Sequence, residues 1–83
     1  MNTQISFSEL SIEDKVKILY QQGKFIMSIR YYEYKINLYL LNNFYVEVFY
    51  RHKEDYIEKI DPLDYSHSRM KFYADQIRMP ELF

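Results

Sequence analysis

The chain contains two imidazoles, His52 and His67, and no thiol. His52 is followed by Glu54 and Asp55, and His67 stands close to Asp64 and Ser66. Acid–base or metal chemistry would require such groups to converge in one pocket. Their setting argues against that: the first cluster lies in a polar stretch of turn length, and the second near the start of a helical pattern. Solvated histidines beside carboxylates are the commoner case. A relay through Ser66, His67 and Ser68 fares no better, because adjacent residues on a helix do not face one another. Glu47 and Glu58 could lie on neighbouring strands, yet paired carboxylates need pocket walls that a small meander has little depth to supply. The single glycine, Gly23, falls at a helix end and leaves no phosphate-cradling loop. Without cysteine there is neither a disulfide framework nor a thiolate metal site. No catalytic, cofactor or metal site is expected, and the chain is not read as an enzyme.

Composition sets the remaining bounds. Eighty-three residues form one domain, and 48% hydrophobic with 28% charged residues is ordinary for a folded protein. A net charge of −1 removes the basic surplus expected of a nucleic-acid binder. Apolar runs fall far short of the ~18 residues of a membrane helix. The first residues, Met-Asn-Thr-Gln-Ile-Ser-Phe-Ser-Glu, show neither a basic nor an apolar leader segment. The expected location is cytoplasmic, with no membrane partner. The unusual feature is aromatic: ten Tyr and six Phe.

The elements that must position these side chains are legible in part. Residues 1–10 are polar with isolated Ile5, Phe7 and Leu10, and read as a flexible lead-in. Ser11 suits a helix N-cap, with Glu13 and Asp14 in the first turn. Ile12, Val16, Leu19 and Tyr20 then share one face of a helix over about 12–22. Gly23 is placed to end it in left-handed conformation. Residues 24–33 fit a strand or a continued helix; their Ile, Phe and Tyr favour the strand. Its weak point is the turn to the next strand, because neither Glu33 nor Tyr34 likes a positive φ.

The central stretch, Tyr34 to Arg51, is the clearest. Ile36, Leu38 and Leu40 alternate with Lys35, Asn37 and Tyr39, and Val46 and Val48 alternate with Tyr45, Glu47 and Phe49. Asn42-Asn43 between the runs suits a hairpin turn. Tyr56 to Ile60 reads as a short edge strand. Asp61 or Asp64 then starts a C-terminal helix, with Met70, Tyr73, Ala74 and Ile77 on one face and Pro80 at its end. The predicted fold is α+β: a small antiparallel β-meander of three to four strands, flanked by an N-terminal and a C-terminal helix in the order α-β-β-β-β-α. Residues 11–79 form the domain and 80–83 a tail.

Placing both helices on the face of Ile36, Leu38, Leu40, Val46 and Val48 leaves the opposite face aromatic. It would display Arg30, Tyr32, Lys35, Tyr39, Tyr45, Glu47 and Phe49, with Asn37 among them. A contiguous apolar patch of that kind usually marks a contact surface. Tyr and Arg are also enriched in contact hot spots. The expected function is a non-enzymatic protein-interaction or self-associating module, contacting a second copy or another protein. Cross-strand aromatic pairs on an ordinary half-wet surface would produce the same pattern. Stacking of single-stranded nucleic acid or a small ligand on this face is the alternative, with Glu47 in its middle as the obstacle.

Two resemblances bear on this reading. The element order is similar to that of double-stranded RNA-binding domains, but Asp64-Tyr65-Ser66-His67-Ser68-Arg69-Met70-Lys71 lacks the lysine-rich start of their last helix. Tyr31-Tyr32-x-Tyr34-Lys35-x-x-Leu38-Tyr39, followed by Phe44-Tyr45-Val46-Glu47-Val48-Phe49-Tyr50, resembles a group of small bacterial proteins. The likeness covers about residues 12–77. It implies one compact domain and brings no function with it.

Overall fold

A computed structural model describes residues 3–74. Two helices, α1 (Thr3–Ser8) and α2 (Ile12–Gln22), precede four strands: β1 (Gly23–Tyr31), β2 (Tyr34–Leu41), β3 (Phe44–Arg51) and β4 (Tyr56–Pro62). The strands form one antiparallel sheet in sequence order. A 3-10 turn, Ser68–Phe72, lies beyond it. No helix among the described residues is long and apolar enough to cross a membrane.

Helix α2 has the predicted start, with Ser11 accepting from the Asp14 amide at 3.1 Å. Its end differs from the expectation. Gly23 is extended, at φ −80° and ψ 153°, and its amide donates to the Leu19 carbonyl. Glycine is needed there for space rather than for a left-handed φ, since a Cβ would meet the Leu19 carbonyl oxygen at 2.7 Å. The helix therefore runs into β1 with no intervening loop, and the strand fixes the helix's rotation. Lys15 and Leu19 turn inward, while Ile12, Val16 and Tyr20 stay exposed. The Lys15 ammonium lies 5.6 Å from the centre of the Phe7 ring and donates to the Ile60 carbonyl at 2.8 Å. Its stem thereby occupies an inward position that periodicity reserves for an apolar residue.

Residues 24–31 are strand. The β1–β2 turn is Tyr32-Glu33, one residue earlier than the expected pair, and Tyr32 takes the positive φ of 56°. Asn42 does the same at 56° in the β2–β3 turn, and Asp55 at 62° closes the four-residue β3–β4 loop. Both edge strands carry a register irregularity, between Phe25 and Met27 in β1 and opposite Phe49 and Tyr50 in β4. Such bulges discourage further strand pairing. Pro62 sits on β4, an edge, where its missing amide costs no interior ladder bond.

The sheet is covered on both sides. Phe7, Leu19, Leu41, Phe44, Val46, Val48 and Ile60 form a core beneath the helices. Phe7 meets Phe44 edge-on at 6.0 Å. The segment read as a flexible lead-in thus supplies, in α1, a buried anchor. On the opposite side Leu38, Leu63 and Tyr73 pack with Met27, Ile29, Tyr45 and Met70. The residues after Pro62 that were expected to form a helix cross this side as turns and a 3-10 segment as far as residue 74. The rest of the expected helix, including Ile77, lies outside the described residues.

Candidate functional site

The seven residues of the expected aromatic face are divided between the two sides. The reason is arithmetic. A two-residue turn at Asn42-Asn43 pairs Leu41 with Phe44, Leu40 with Tyr45 and Leu38 with Glu47. Cross-strand partners share a face, so Ile36, Leu38 and Leu40 side with Tyr45, Glu47 and Phe49. Lys35, Asn37 and Tyr39 side with Val46 and Val48. A register shift of one residue would exchange the sides. Both apolar sets are buried, but against different layers.

On the C-terminal side Glu47 and Phe49 are core, 1% and 3% exposed. Arg69 grips Glu47 through Nε and Nη2 at 3.0 and 2.8 Å, and the Tyr73 hydroxyl donates to the same carboxylate at 2.8 Å. The Arg69 guanidinium lies 5.3 Å from the Tyr31 ring centre and 5.1 Å from that of Phe49. The His67 Nδ1 accepts from the Arg69 amide at 3.0 Å, and Nε2 faces Nη1 at 3.0 Å. The Glu47 hydrogen bonds push the Arg69 guanidinium up from its ordinary value. Burial first, then the Glu47 charge, pushes the Tyr73 phenol far above the ordinary tyrosine range. This constellation clamps the last segment onto the sheet and leaves no open position beside the carboxylate. Sequence reasoning missed it because residues 47, 69 and 73 share no local pattern.

At the far end of the same side, Arg51 contacts Glu58, Glu54 and Glu33 at 3.2, 3.3 and 3.4 Å. The Tyr34 hydroxyl donates to Glu58 at 2.7 Å, and that bond first, then Arg51, holds the Glu58 carboxyl below its usual range.

The helix side is different. Between α2 and the sheet lies a cleft of about 320 Å³, lined by Val16, Leu19, Tyr20, Phe25, Tyr39, Val48, Ile57 and Ile60, with Gly23 at its end. Tyr20 is 91% and Phe25 52% exposed, and Val16 is also exposed. Phe25 packs edge-on against Tyr39 at 5.6 Å. The register continues this face away from the helices through Ser28 opposite Asn37, Arg30 opposite Lys35, and Lys35 opposite Tyr50. Ser28 donates to the Asn37 side-chain carbonyl at 2.5 Å, Arg30 faces the His52 ring at 3.0 Å, and Tyr50 donates to Asp55. Of the seven expected face residues, Arg30, Lys35 and Tyr39 lie here, and Tyr32 is at the exposed β1–β2 turn.

His52 contacts Arg30 on the helix side, and His67 contacts Arg69 on the other. No group of three or more His, Asp or Glu among the described residues is placed to hold a metal ion. The clefts's lining brings no acid, base or nucleophile together beyond tyrosine hydroxyls. Compared with known proteins, the chain matches no family, no curated protein and no solved structure.

Proposed function

We propose that the protein is a non-enzymatic contact module whose binding surface is the helix-side cleft, where an apolar side chain of a protein partner seats between α2 and the sheet. The observation that carries this reading is the exposure of Val16, Tyr20 and Phe25 around an apolar cleft. Grouped exposed apolar side chains of this kind mark contact surfaces. Aromatic rims add contact area at little entropic cost, since Tyr and Phe have two side-chain torsions each.

A second copy of the chain is the alternative occupant. It is favoured by Ile12, Val16 and Tyr20 recurring every fourth residue along the exposed side of α2, a spacing that suits helix-on-helix packing. One experiment tests both. A random twelve-residue displayed peptide library is selected on wild type and on a Val16→Glu/Phe25→Glu variant, with sedimentation of each protein across a concentration series. Peptides with a shared apolar anchor that bind wild type and not the variant support the partner reading. A concentration-dependent dimer that the folded variant loses makes the second copy the occupant. The absence of both peptide enrichment and a dimer would overturn the contact reading.

A further inference from the structure

We propose that the segment recognised in the cleft is extended and acidic, with an Asp or Glu about four residues from its apolar anchor, read by Arg30 and Lys35. This deepens, and rests on, the contact reading given above.

Charge complementarity points to an acidic partner. Arg51 and Lys59, on the C-terminal side, are both paired with carboxylates. Arg30 and Lys35, cross-strand neighbours on the helix face of β1 and β2, have no carboxylate partner among the described residues. Among the described residues Arg30 has the His52 ring as its one polar partner, and Lys35 is exposed with no hydrogen-bond or ion-pair partner. Of the two acids on the adjoining loop, Glu54 pairs with Arg51 and Asp55 accepts from the Tyr50 hydroxyl.

The spacing follows from the register. Tyr39, Asn37 and Lys35 succeed one another on this face of β2. Each two-residue step is roughly 6.7 Å, which puts the Lys35 backbone about 13 Å from that of Tyr39 in the cleft. An extended peptide advances about 3.3 Å per residue and covers that distance in about four residues. Between anchor and cations lie Ser28 and Asn37. Asn37 accepts from Ser28 through its side-chain carbonyl, and its amide NH₂ has no partner among the described residues.

This polar strip favours a peptide over a fatty acid. A main chain supplies carbonyls to meet the Asn37 NH₂, whereas an acyl chain would desolvate it without return. The cleft's volume of about 320 Å³ also suits one or two side chains, standing at the small end of the roughly 300–1,000 Å³ range of small-molecule pockets.

The test uses the peptides that the selection above enriches on wild type, as fluorescein-labelled probes in anisotropy titrations. The proteins are wild type, Arg30→Ser/Lys35→Ser and Arg30→Glu/Lys35→Glu, each checked for folding by circular dichroism; dodecanoate serves as competitor. The expected result is enriched peptides with an acidic residue about four positions from the anchor. Their affinity falls about tenfold or more in the serine variant, and selection on the charge-reversed variant yields Lys- or Arg-bearing peptides instead. Enriched peptides without acidic residues that bind all three proteins alike would overturn this inference and leave the contact reading standing. Displacement of the peptides by micromolar dodecanoate would make an acyl carboxylate the ligand and overturn the peptide assignment. If no peptide is enriched, this inference falls; the contact reading then stands on a concentration-dependent dimer that the folded Val16→Glu/Phe25→Glu variant loses, and falls without one.

Discussion

The two sides of the sheet solve the same problem in opposite ways. The C-terminal side is covered by a segment with little regular structure, held through Glu47, Arg69 and Tyr73. The helix side is covered by two regular helices that leave part of the sheet open, with Tyr20 and Phe25 at the margin. A short irregular segment cannot satisfy its own polar groups, so specific side-chain bonds must fix it. A helix satisfies its own backbone and needs only a few inward residues, here Leu19, Ile18 and the Lys15 stem. The closed side is therefore expected to be sensitive to substitution, and the open side free to carry function.

The largest effect is expected at the clamp. Glu47→Ala leaves the Arg69 guanidinium buried without its carboxylate, at a cost of about 3–5 kcal/mol. Against a typical stability of ~5–15 kcal/mol, much of the protein would unfold well before the wild-type urea midpoint. A Glu47→Leu/Arg69→Met/Tyr73→Phe variant should recover most of the loss, since it removes both charges and the hydroxyl that bonds to Glu47. A triple variant no better than the single would show that the cluster does more than satisfy its own polar groups.

On the helix side Gly23 is a sensitive position outside the apolar core. Gly23→Ala drives a Cβ against the Leu19 carbonyl and should cost about 1–3 kcal/mol in urea unfolding. A neutral result would mean that α2 can shift on the sheet.

Alkali separates the sides by titration. The unfolded Tyr73 phenol ionises near pH 10, and the folded one much higher. A raised folded value gives stability that is full below about pH 10 and erodes as pH climbs from there. Tyrosinate absorbance should therefore show the Tyr73 phenol ionising only as the protein unfolds. Acid acts through Glu58. Its folded value is lowered, so its contribution is present above about pH 4.3 and is lost as pH falls through the lower folded value. Tyr34→Phe should shift acid unfolding to higher pH.

The smallest effects on stability belong to the cleft rim. Tyr20→Ser and Val16→Ser should move the urea midpoint by no more than about 0.5 kcal/mol, as exposed substitutions do, while weakening any partner seated there.

Much of the fold was legible in local pattern. The Ser11 cap, the bounds of α2 and the central hairpin all rest on neighbouring residues, and the structure shows each. What failed depended on parity and distance. Alternation marked Ile36, Leu38, Val46 and Val48 as buried, but the two-residue Asn42-Asn43 turn already dictated that even residues of β2 pair with odd residues of β3. Counting through that turn would have divided the five face residues of β2 and β3, Lys35 and Tyr39 from Tyr45, Glu47 and Phe49. The inward face of α2 was obscured by Lys15, a cation acting as an apolar stem. Tyr32 accepts a positive φ that its type disfavours, because the strands on either side fix the turn. The clamp was invisible because only folding brings Glu47 to Arg69 and Tyr73. Of the cleft, Tyr39 was singled out from sequence, while Phe25, Val16 and Tyr20 were read as strand or core.

Two phenylalanines test the central claim most directly, one on each side of the sheet. Urea unfolding of Phe25→Ser and Phe49→Ser should give losses of about 1–2 kcal/mol for the first, half-buried against Tyr39, and about 3–5 kcal/mol for the second. Equal losses, or a greater loss at Phe25, would contradict the assignment of an open helix side and a closed C-terminal side.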